Sequence, residues 1–455
     1  MNAVTETLLE PLRWLFGHGP RTDLARGAVA AFLIRVSGVG LAFGVQVLLA
    51  RALGLEAWGE YAFMLSWLLV LSLVSTLGLD SASLRFVATY RKIGDLPRLK
   101  GFLRGSQTTA AGSAVLFGFM GAAVLWLLRG RITTSLALTG WIACLALPVF
   151  VLLNLHSAIL RGFKRIVPAL LSVEILRPAA LGVLVIGVYG FGGGRLTAPA
   201  AMAATLAAIS AALAFTAAVL RRSSCVELAG VSSRIEIGAW LAVSLPLLLL
   251  GGFQILLSQT DILLVGFLLD TDRAGVYAVA SRLSLLVALG LFAVNTIAAP
   301  MIAELWAAEE RRRLQRLLTV SARALLIATL PLALGLALAG GFALRLFGEG
   351  FDQARGALLI LIAGQLVNAA SGVVASVMIM TGLERQAARI MGVVAALNLL
   401  LNGVLIPQFG IAGAALATAS STVVWNLAML VTVWRRRRLN PSCLPAKPMG
   451  GATGG

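Results

Sequence analysis

Residues 259–283 read QTDILLVGFLLDTDRAGVYAVASRL, and their reading decides the fold. A polar turn at Asp270, Asp272 and Arg273 separates two apolar stretches that continue past the quoted ends, to near residues 237 and 303. A helix needs about 20 apolar residues to cross a bilayer, and both stretches exceed that. The segment is therefore read as a tight hairpin of two transmembrane helices. Asp261 and Arg282 lie inside those stretches, where an ionised side chain costs at least ~2.5–3.5 kcal/mol. Nine residues separate Asp261 from Asp270 and nine separate Arg273 from Arg282, so both charges lie about 13 Å below the turn. Equal depth on neighbouring antiparallel helices predicts that they meet, either as a permanent clasp or as a switch that opens and closes.

The same pattern fills the chain. Of its 455 residues 59% are hydrophobic and 12% charged, against roughly 45–50% and about 25% in soluble proteins. Twelve apolar runs are long enough to span, the first near 27–50 and the last near 411–434. A net charge of +18 raises the question of nucleic acid, and the placement of the charge answers it. Of 37 Lys+Arg, 27 flank the even-numbered loops and the two tails, seven flank the odd-numbered loops, and Arg35, Arg177 and Arg282 lie within spans. This is the positive-inside pattern, so no nucleic-acid partner is expected and both termini are placed in the cytoplasm. Trp58 and Trp126 at outer ends, with Trp240, Trp306 and Trp434 at inner ends, are expected to be interfacial anchors. The expected organisation is an amphipathic cytoplasmic segment (1–26), an N-lobe of six spans (27–221), a linker (222–236), a C-lobe of six spans (237–434) and a basic Pro/Gly-rich cytoplasmic tail (435–455).

An internal repeat supports two lobes. Gly59, Tyr61 and Ala62 of AWGEYAFMLSW (57–67) match Gly275, Tyr277 and Ala278 of RAGVYAVASRL (273–283) at one offset. RGFKR (161–165) and GLERQ (382–386) likewise open spans five and eleven. Six spans repeated in the same orientation imply a pseudo-two-fold axis along the membrane normal, an arrangement that builds carriers. Catalytic signatures are missing from the sequence. GVGLAFG (38–44) puts Phe43 where a nucleotide loop needs glycine, and it reads as close helix packing through small residues. Cys144, Cys225 and Cys443 have no paired spacing, and His18 and His156 are far apart, so neither a disulfide framework nor a metal site is expected. A membrane sugar polymerase or ligase is the enzyme alternative, but the outer loops are short and offer no catalytic domain. No catalytic residue and no cofactor is predicted.

Four sets of residues carry a family resemblance. The first is Ala50-Arg51, Leu53-Gly54, Trp58-Gly59 and Tyr61; the second is Gly78-Leu79 with Arg85-Phe86-Val87-Ala88. The third is Asp261 with Gly275, Tyr277, Ala280 and Arg282. The fourth runs through Asn398, Asn402, Ile406-Pro407, Gly410-Ile411, Gly413-Ala414-Ala415 and Ala417-Thr418. In these the chain resembles the oligosaccharide flippases (polysaccharide transporters, O-antigen translocases) of the multidrug/oligosaccharidyl-lipid/polysaccharide exporter superfamily. The family more often has Tyr where Trp58 stands, and the lipid II flippases of the superfamily usually carry two further spans. The resemblance implies an all-α integral membrane protein of twelve transmembrane helices, two six-helix lobes of MATE-like fold around a cavity that opens alternately to each side. It implies a polyprenyl diphosphate-linked oligosaccharide as cargo, flipped from the cytoplasmic to the outer leaflet of a bacterial inner membrane for polysaccharide biosynthesis. Membrane lipids and polysaccharide polymerase or assembly proteins are the expected neighbours.

The charges within the spans are the candidate site. Arg35, Arg177 and Arg282 are expected to bind the cargo diphosphate, because guanidinium holds phosphate oxygens bidentately. For Arg35 the structural alternative is snorkelling to the headgroups; for Arg177 it is an ion pair with Glu174 three residues earlier. Asp261 and Glu174 are the candidates for coupling to H⁺ or Na⁺, with Asp261 taking the ion in the open state of the switch. Asn398 and Asn402, one helical turn apart, are candidate polar cavity residues, or else bond helix to helix. With the cell interior negative, expelling two negative charges is favoured by roughly 4–5 kcal/mol per 100 mV. A multidrug or metabolite cation antiporter of the same fold, which would want the reverse balance of interior charge, is the alternative function. A non-transporting scaffold for envelope assembly is the other.

Overall fold

The computed structural model describes residues 20–191 and 194–443. The expected amphipathic segment lies outside these up to residue 19, as does the tail beyond residue 443. All described elements are helical, with no strand among the described residues. They are α1 (Pro20–Thr76), α2 (Leu79–Ile93), α3 (Leu96–Leu127), α4 (Thr134–Gly162), α5 (Ile166–Phe191), α6 (Ala198–Leu228) and α7 (Ile237–Leu268). There follow α8 (Thr271–Val287), α9 (Leu289–Ala307), α10 (Arg311–Arg345), α11 (Arg355–Ala370), α12 (Val374–Met380) and α13 (Glu384–Arg437). Among the described residues, eight helices are long and apolar enough to cross a membrane. Two of these are double: α1 turns at Gly54 and α13 at Gly410. With α7 and the broken pair α8–α9 they make up the twelve expected spans. Phe119, Phe191, Ile327 and Leu338 are each more than 70% exposed, a surface suited to lipid rather than water.

Gly410 adopts φ 57 and ψ −137, a backbone conformation essentially reserved for glycine. The chain doubles back there with no loop. Beyond it, a Cβ on Gly413 would lie 2.1 Å from the Leu405 carbonyl oxygen, so only glycine lets the two limbs of α13 pack this closely.

The chain forms two compact units: Leu68–Leu248 with the chain up to Ala52, and Leu53–Trp67 with the chain from Leu249 onward. Residues 53–67 thus count with the second unit, and the division runs through α7 rather than through the linker 222–236. Repeat-related residues explain the first departure. A Cβ on Gly275 would lie 2.6 Å from the Gly59 Cα, and one on Gly59 would lie 2.4 Å from the Thr271 carbonyl oxygen. The indole of Trp58 donates to the Gly275 carbonyl at 3.1 Å. Trp58 is fully buried, and so is Trp240, whose indole donates to the Tyr90 hydroxyl at 3.2 Å. Neither is the interfacial anchor expected from its position at a span end; Trp126 and Trp434 are exposed, at 54% and 55%. Position along a span does not reveal whether a side chain faces lipid or a neighbouring helix.

At the far end of the second unit the chain after α13 is tied down. Gln315 of α10 donates to the Asn440 carbonyl at 2.7 Å and accepts from the Asn440 amide at 2.8 Å. The Cys443 amide donates to the Ala370 carbonyl at 3.0 Å, and Pro441 packs on Gly372.

Gly275→Ala should therefore destabilise the protein by the ~1–3 kcal/mol typical of overpacking, or more because the obstacle is backbone. Gly40→Ala, which meets nothing within 4 Å, should not. Thermal unfolding of the detergent-solubilised variants, followed by size-exclusion chromatography, measures the difference; equal midpoints would show that the contact at Gly59 is not needed.

Candidate functional site

In the second unit the site forms around Asp261 of α7. Its carboxylate is buried, at 3% exposure. The Tyr277 hydroxyl of α8 donates to Oδ2 at 2.9 Å, and Asn402 Nδ2 of α13 donates to Oδ1 at 2.7 Å. The Thr418 hydroxyl, on the second limb of α13, also bonds Oδ2 and lies 3.2 Å from the Tyr277 hydroxyl. Asn402 bonds back to Asn398 as well, through its carbonyl at 2.9 Å and Oδ1 at 3.1 Å.

The turns explain why these four residues meet. Asp261 and Tyr277 stand eight residues on either side of Leu269, and Asn402 and Thr418 stand eight residues on either side of Gly410. At 1.5 Å per residue each lies about 12 Å from its own turn. Two helical hairpins of matched depth thus bring four polar side chains together from an apolar sequence.

Arg282 is not among them, contrary to the expected pairing with Asp261. Its guanidinium stands 5.3 Å from the centroid of the Trp58 ring, within range of a cation–π attraction. Equal depth below the turn fixes height along the two helices and not direction around them. Arg282 follows Tyr277 by five residues, which at 100° per residue turns it about 140° away from the face that meets Asp261. Both the clasp and the switch that required direct contact are set aside for this conformation.

A cavity of about 450 Å³ adjoins Asp261 within the same unit. Asn398 and Thr418 line it, together with hydroxyls and amides from α8, α9, α11 and α13. Asn402 is fully buried behind this wall and acts by bonding Asp261 and Asn398. In the sequence Thr418 stands out only as a family marker and Tyr277 as a family marker and a repeat position, and no motif marks the amides Asn295, Gln365, Asn368 and Asn426 as site residues. A signal for some of them exists: Thr418, Ser421, Thr422, Trp425 and Asn426 recur at helical spacing through an otherwise apolar limb.

In the first unit the charges gather around Glu174. Arg35 Nε lies 3.9 Å from Glu174 Oε1, with the arginine side chain 46% exposed. Arg177 packs on the Phe150 ring, 5.7 Å from its centroid. Arg161, near the end of α4, lies within the electrostatic reach of Asp80, Arg35 and Glu174. The backbone explains the arrangement. Residues Leu171–Leu176 form a π-helical turn inside α5. Pro178, two residues beyond its end, has no N–H for the Glu174 carbonyl, and its ring would collide with that carbonyl in a regular α-helix. The wider π turn removes the collision, and such turns cluster at functional sites. Gly38 of α1 accommodates the displaced backbone: a Cβ there would lie 2.7 Å from both Cβ and the carbonyl oxygen of Glu174. Arg35, one turn before Gly38, is thereby placed beside the acid. Of the glycines in GVGLAFG, Gly38 makes the close packing that was expected, whereas Gly40 and Gly44 meet nothing within 4 Å.

Comparison with known proteins places this geometry in a family. The chain is 29% identical over 173 residues to a probable flippase, AglR, of Haloferax volcanii; the match covers 37% of this chain and 36% of that relative's length. Among solved structures, an inward-facing multidrug resistance MATE family transporter of the MOP superfamily superposes with a TM-score of 0.67 at 16% identity, over 90% of this chain and 98% of the other. The lipid II flippase MurJ, in an inward closed conformation, gives 0.68 at 15% identity, over 90% and 87%. At these identities the structures establish the MATE-like fold and nothing further. A family model named MatE matches residues 246–404. The model for polysaccharide biosynthesis proteins matches residues 24–306, well over half of the chain, and the chain belongs to that family.

Proposed function

We propose that the protein flips a polyprenyl diphosphate-linked oligosaccharide from the cytoplasmic to the outer leaflet by alternating access, with H⁺ or Na⁺ as the coupling ion. The observation that carries this reading is the arginine content of the first unit: Arg35 lies beside Glu174, Arg161 is within electrostatic reach of Asp80 and Glu174, and Arg177 follows Glu174 by three residues and packs on Phe150. A diphosphate cannot cross hydrocarbon unaided, and guanidinium is the side chain best matched to it. A cation antiporter would be served by the opposite balance. The name of the archaeal relative, a probable flippase, agrees with this reading.

Asp261 is the coupling residue in this scheme. Its two oxygens already accept from three side chains, Tyr277, Asn402 and Thr418, and no cationic side chain is among these partners. A proton or sodium ion there would neutralise the carboxylate during the return of the empty carrier, when the inward movement of a bare negative charge would be opposed by an interior-negative potential.

Reconstitution into vesicles with a fluorescent polyprenyl diphosphate glycan, and quenching from one side, measures flipping directly. Arg177→Ala should slow it at least tenfold while the protein still inserts and purifies as a single species. Arg177→Lys should recover part of the rate, since ammonium supplies charge without the planar fork. Normal flipping by the alanine variant would remove Arg177 from the diphosphate site. Export of cationic dyes by the wild type, with no flipping, would favour the antiporter.

Asp261→Asn should abolish the dependence of flipping on a sodium or proton gradient while leaving gradient-independent exchange. An unchanged gradient response would place coupling elsewhere.

The orientation is open to labelling in a background free of native cysteines. Lys92→Cys and Gly130→Cys, both exposed positions, should react oppositely with an impermeant thiol reagent in intact cells, the second being labelled. The reverse pattern would invert the proposed topology and the direction of transport with it.

A further inference from the structure

The cavity beside Asp261 is much larger than a coupling ion needs. Its volume of about 450 Å³ corresponds to about fifteen waters at ~30 Å³ each, within the ~300–1,000 Å³ range of small-molecule sites. Away from Asp261 its wall is neutral and largely apolar, with leucines and valines, and the amides Asn295, Gln365, Asn368 and Asn426 are set among them beside the indole of Trp425. Among the described residues, no lysine, arginine or histidine lines it.

The amides are held in place by one another. Asn426 Nδ2 donates to Asn368 Oδ1 at 3.2 Å, and Asn368 Nδ2 donates to Gln365 Oε1 at 3.3 Å. Across the cavity Asn295 Oδ1 accepts from the Ser376 hydroxyl at 2.8 Å. An amide uses one oxygen and two N–H groups, so each keeps hydrogen-bonding capacity beyond these contacts.

The chemistry selects the occupant. A diphosphate requires cations, and the wall has none. A cationic drug would use Asp261 and leave the amides unmatched. A sugar ring presents alternating donors and acceptors on vicinal hydroxyls, which paired amides bind on both counts, and an apolar face suited to an indole. We propose that this cavity is the glycan subsite of the carrier: it takes a neutral sugar ring of the lipid-linked cargo and sets which glycans are accepted, while the diphosphate is bound outside it. The proposal rests on the flippase reading above.

The experiment compares equilibrium binding of synthetic polyprenyl diphosphate with no sugar and of the same lipid bearing N-acetylglucosamine, galactose or rhamnose, using the full chain in detergent. The wild type should bind at least one sugar-bearing lipid tenfold or more tightly than the bare lipid. Asn368→Leu with Asn426→Leu should bring that lipid to the bare-lipid affinity while bare-lipid binding stays unchanged, which also reports intact folding. Gln365→Leu, at a less buried position, is the milder variant should the double one not fold, and should lose most of the same preference. Equal wild-type binding of all four lipids, or a preference that survives the substitutions, would overturn the glycan subsite and leave the flippase reading standing. Binding of none of the four would overturn both.

Discussion

A carboxylate buried within a membrane span must be satisfied by its own protein, and much of the second unit is organised to satisfy Asp261. Tyr277, Asn402 and Thr418 reach it from the next helix and from both limbs of a bent one. That convergence requires two hairpins of equal depth, and each has a turn to match: the short Asp270 turn, and the loopless reversal at Gly410. Glycine is required at the reversal by its φ and ψ, and again at Gly413 by the approach of the facing limb. A chain that only needed to span the bilayer would have no use for such close tolerances. Their effect is to bring three donors to one carboxylate within an otherwise apolar span.

The first unit uses another device. There the acid is placed by a fault in the helix, not by matched hairpins. Pro178 forces the π turn at Leu171–Leu176, the turn displaces Glu174, and Gly38 lets α1 come close enough to set Arg35 beside it. The ion pair is half open, at 3.9 Å with an exposed arginine, so its net contribution to stability is at most about 1 kcal/mol. Such a weak pair can exchange partners at little cost, as the proposed diphosphate site would require, and would be a poor choice for a structural clasp.

How much of this was legible in the sequence depended on the kind of information each feature carries. Apolar run length is a one-dimensional property, and it revealed the all-helical membrane fold and its spans. The repeat around Gly59 and Gly275 was legible too, although the reason for it, a backbone contact between the two glycines, was not. Depth along a helix can be counted, so Asp261, Tyr277, Asn402 and Thr418 could have been grouped by their distances from the turns. Azimuth is harder: the pairing of Asp261 with Arg282 failed by a rotation of the helix, and Trp58 and Trp240 turned out to face neighbouring helices instead of the interface. The amides of the cavity were least visible, because Asn295, Gln365 and Asn368 lie singly or in pairs on different helices and only the fold assembles them. Charged residues in a hydrophobic stretch attract notice; neutral polar ones do not, though they supply nearly all the hydrogen-bonding groups of the cavity wall.

That difference bears on how such a carrier can be both strong and selective. Charge gives attraction to any diphosphate, since guanidinium and phosphate interact over distance and with little regard for what else the cargo bears. Neutral amides act only at contact, and a hydroxyl out of place leaves a buried donor or acceptor unpaired at about 1–3 kcal/mol, up to roughly a hundredfold in affinity. Under the proposed function, a protein with arginines near Glu174 in one unit and amides in the cavity beside Asp261 in the other would hold the part common to all its possible cargoes with one set of residues and discriminate with the second. Evolution could then alter the glycan accepted by exchanging amides and hydroxyls along α11 and the second limb of α13, without disturbing the charges inside the membrane, which are the costly part of the fold to rebuild.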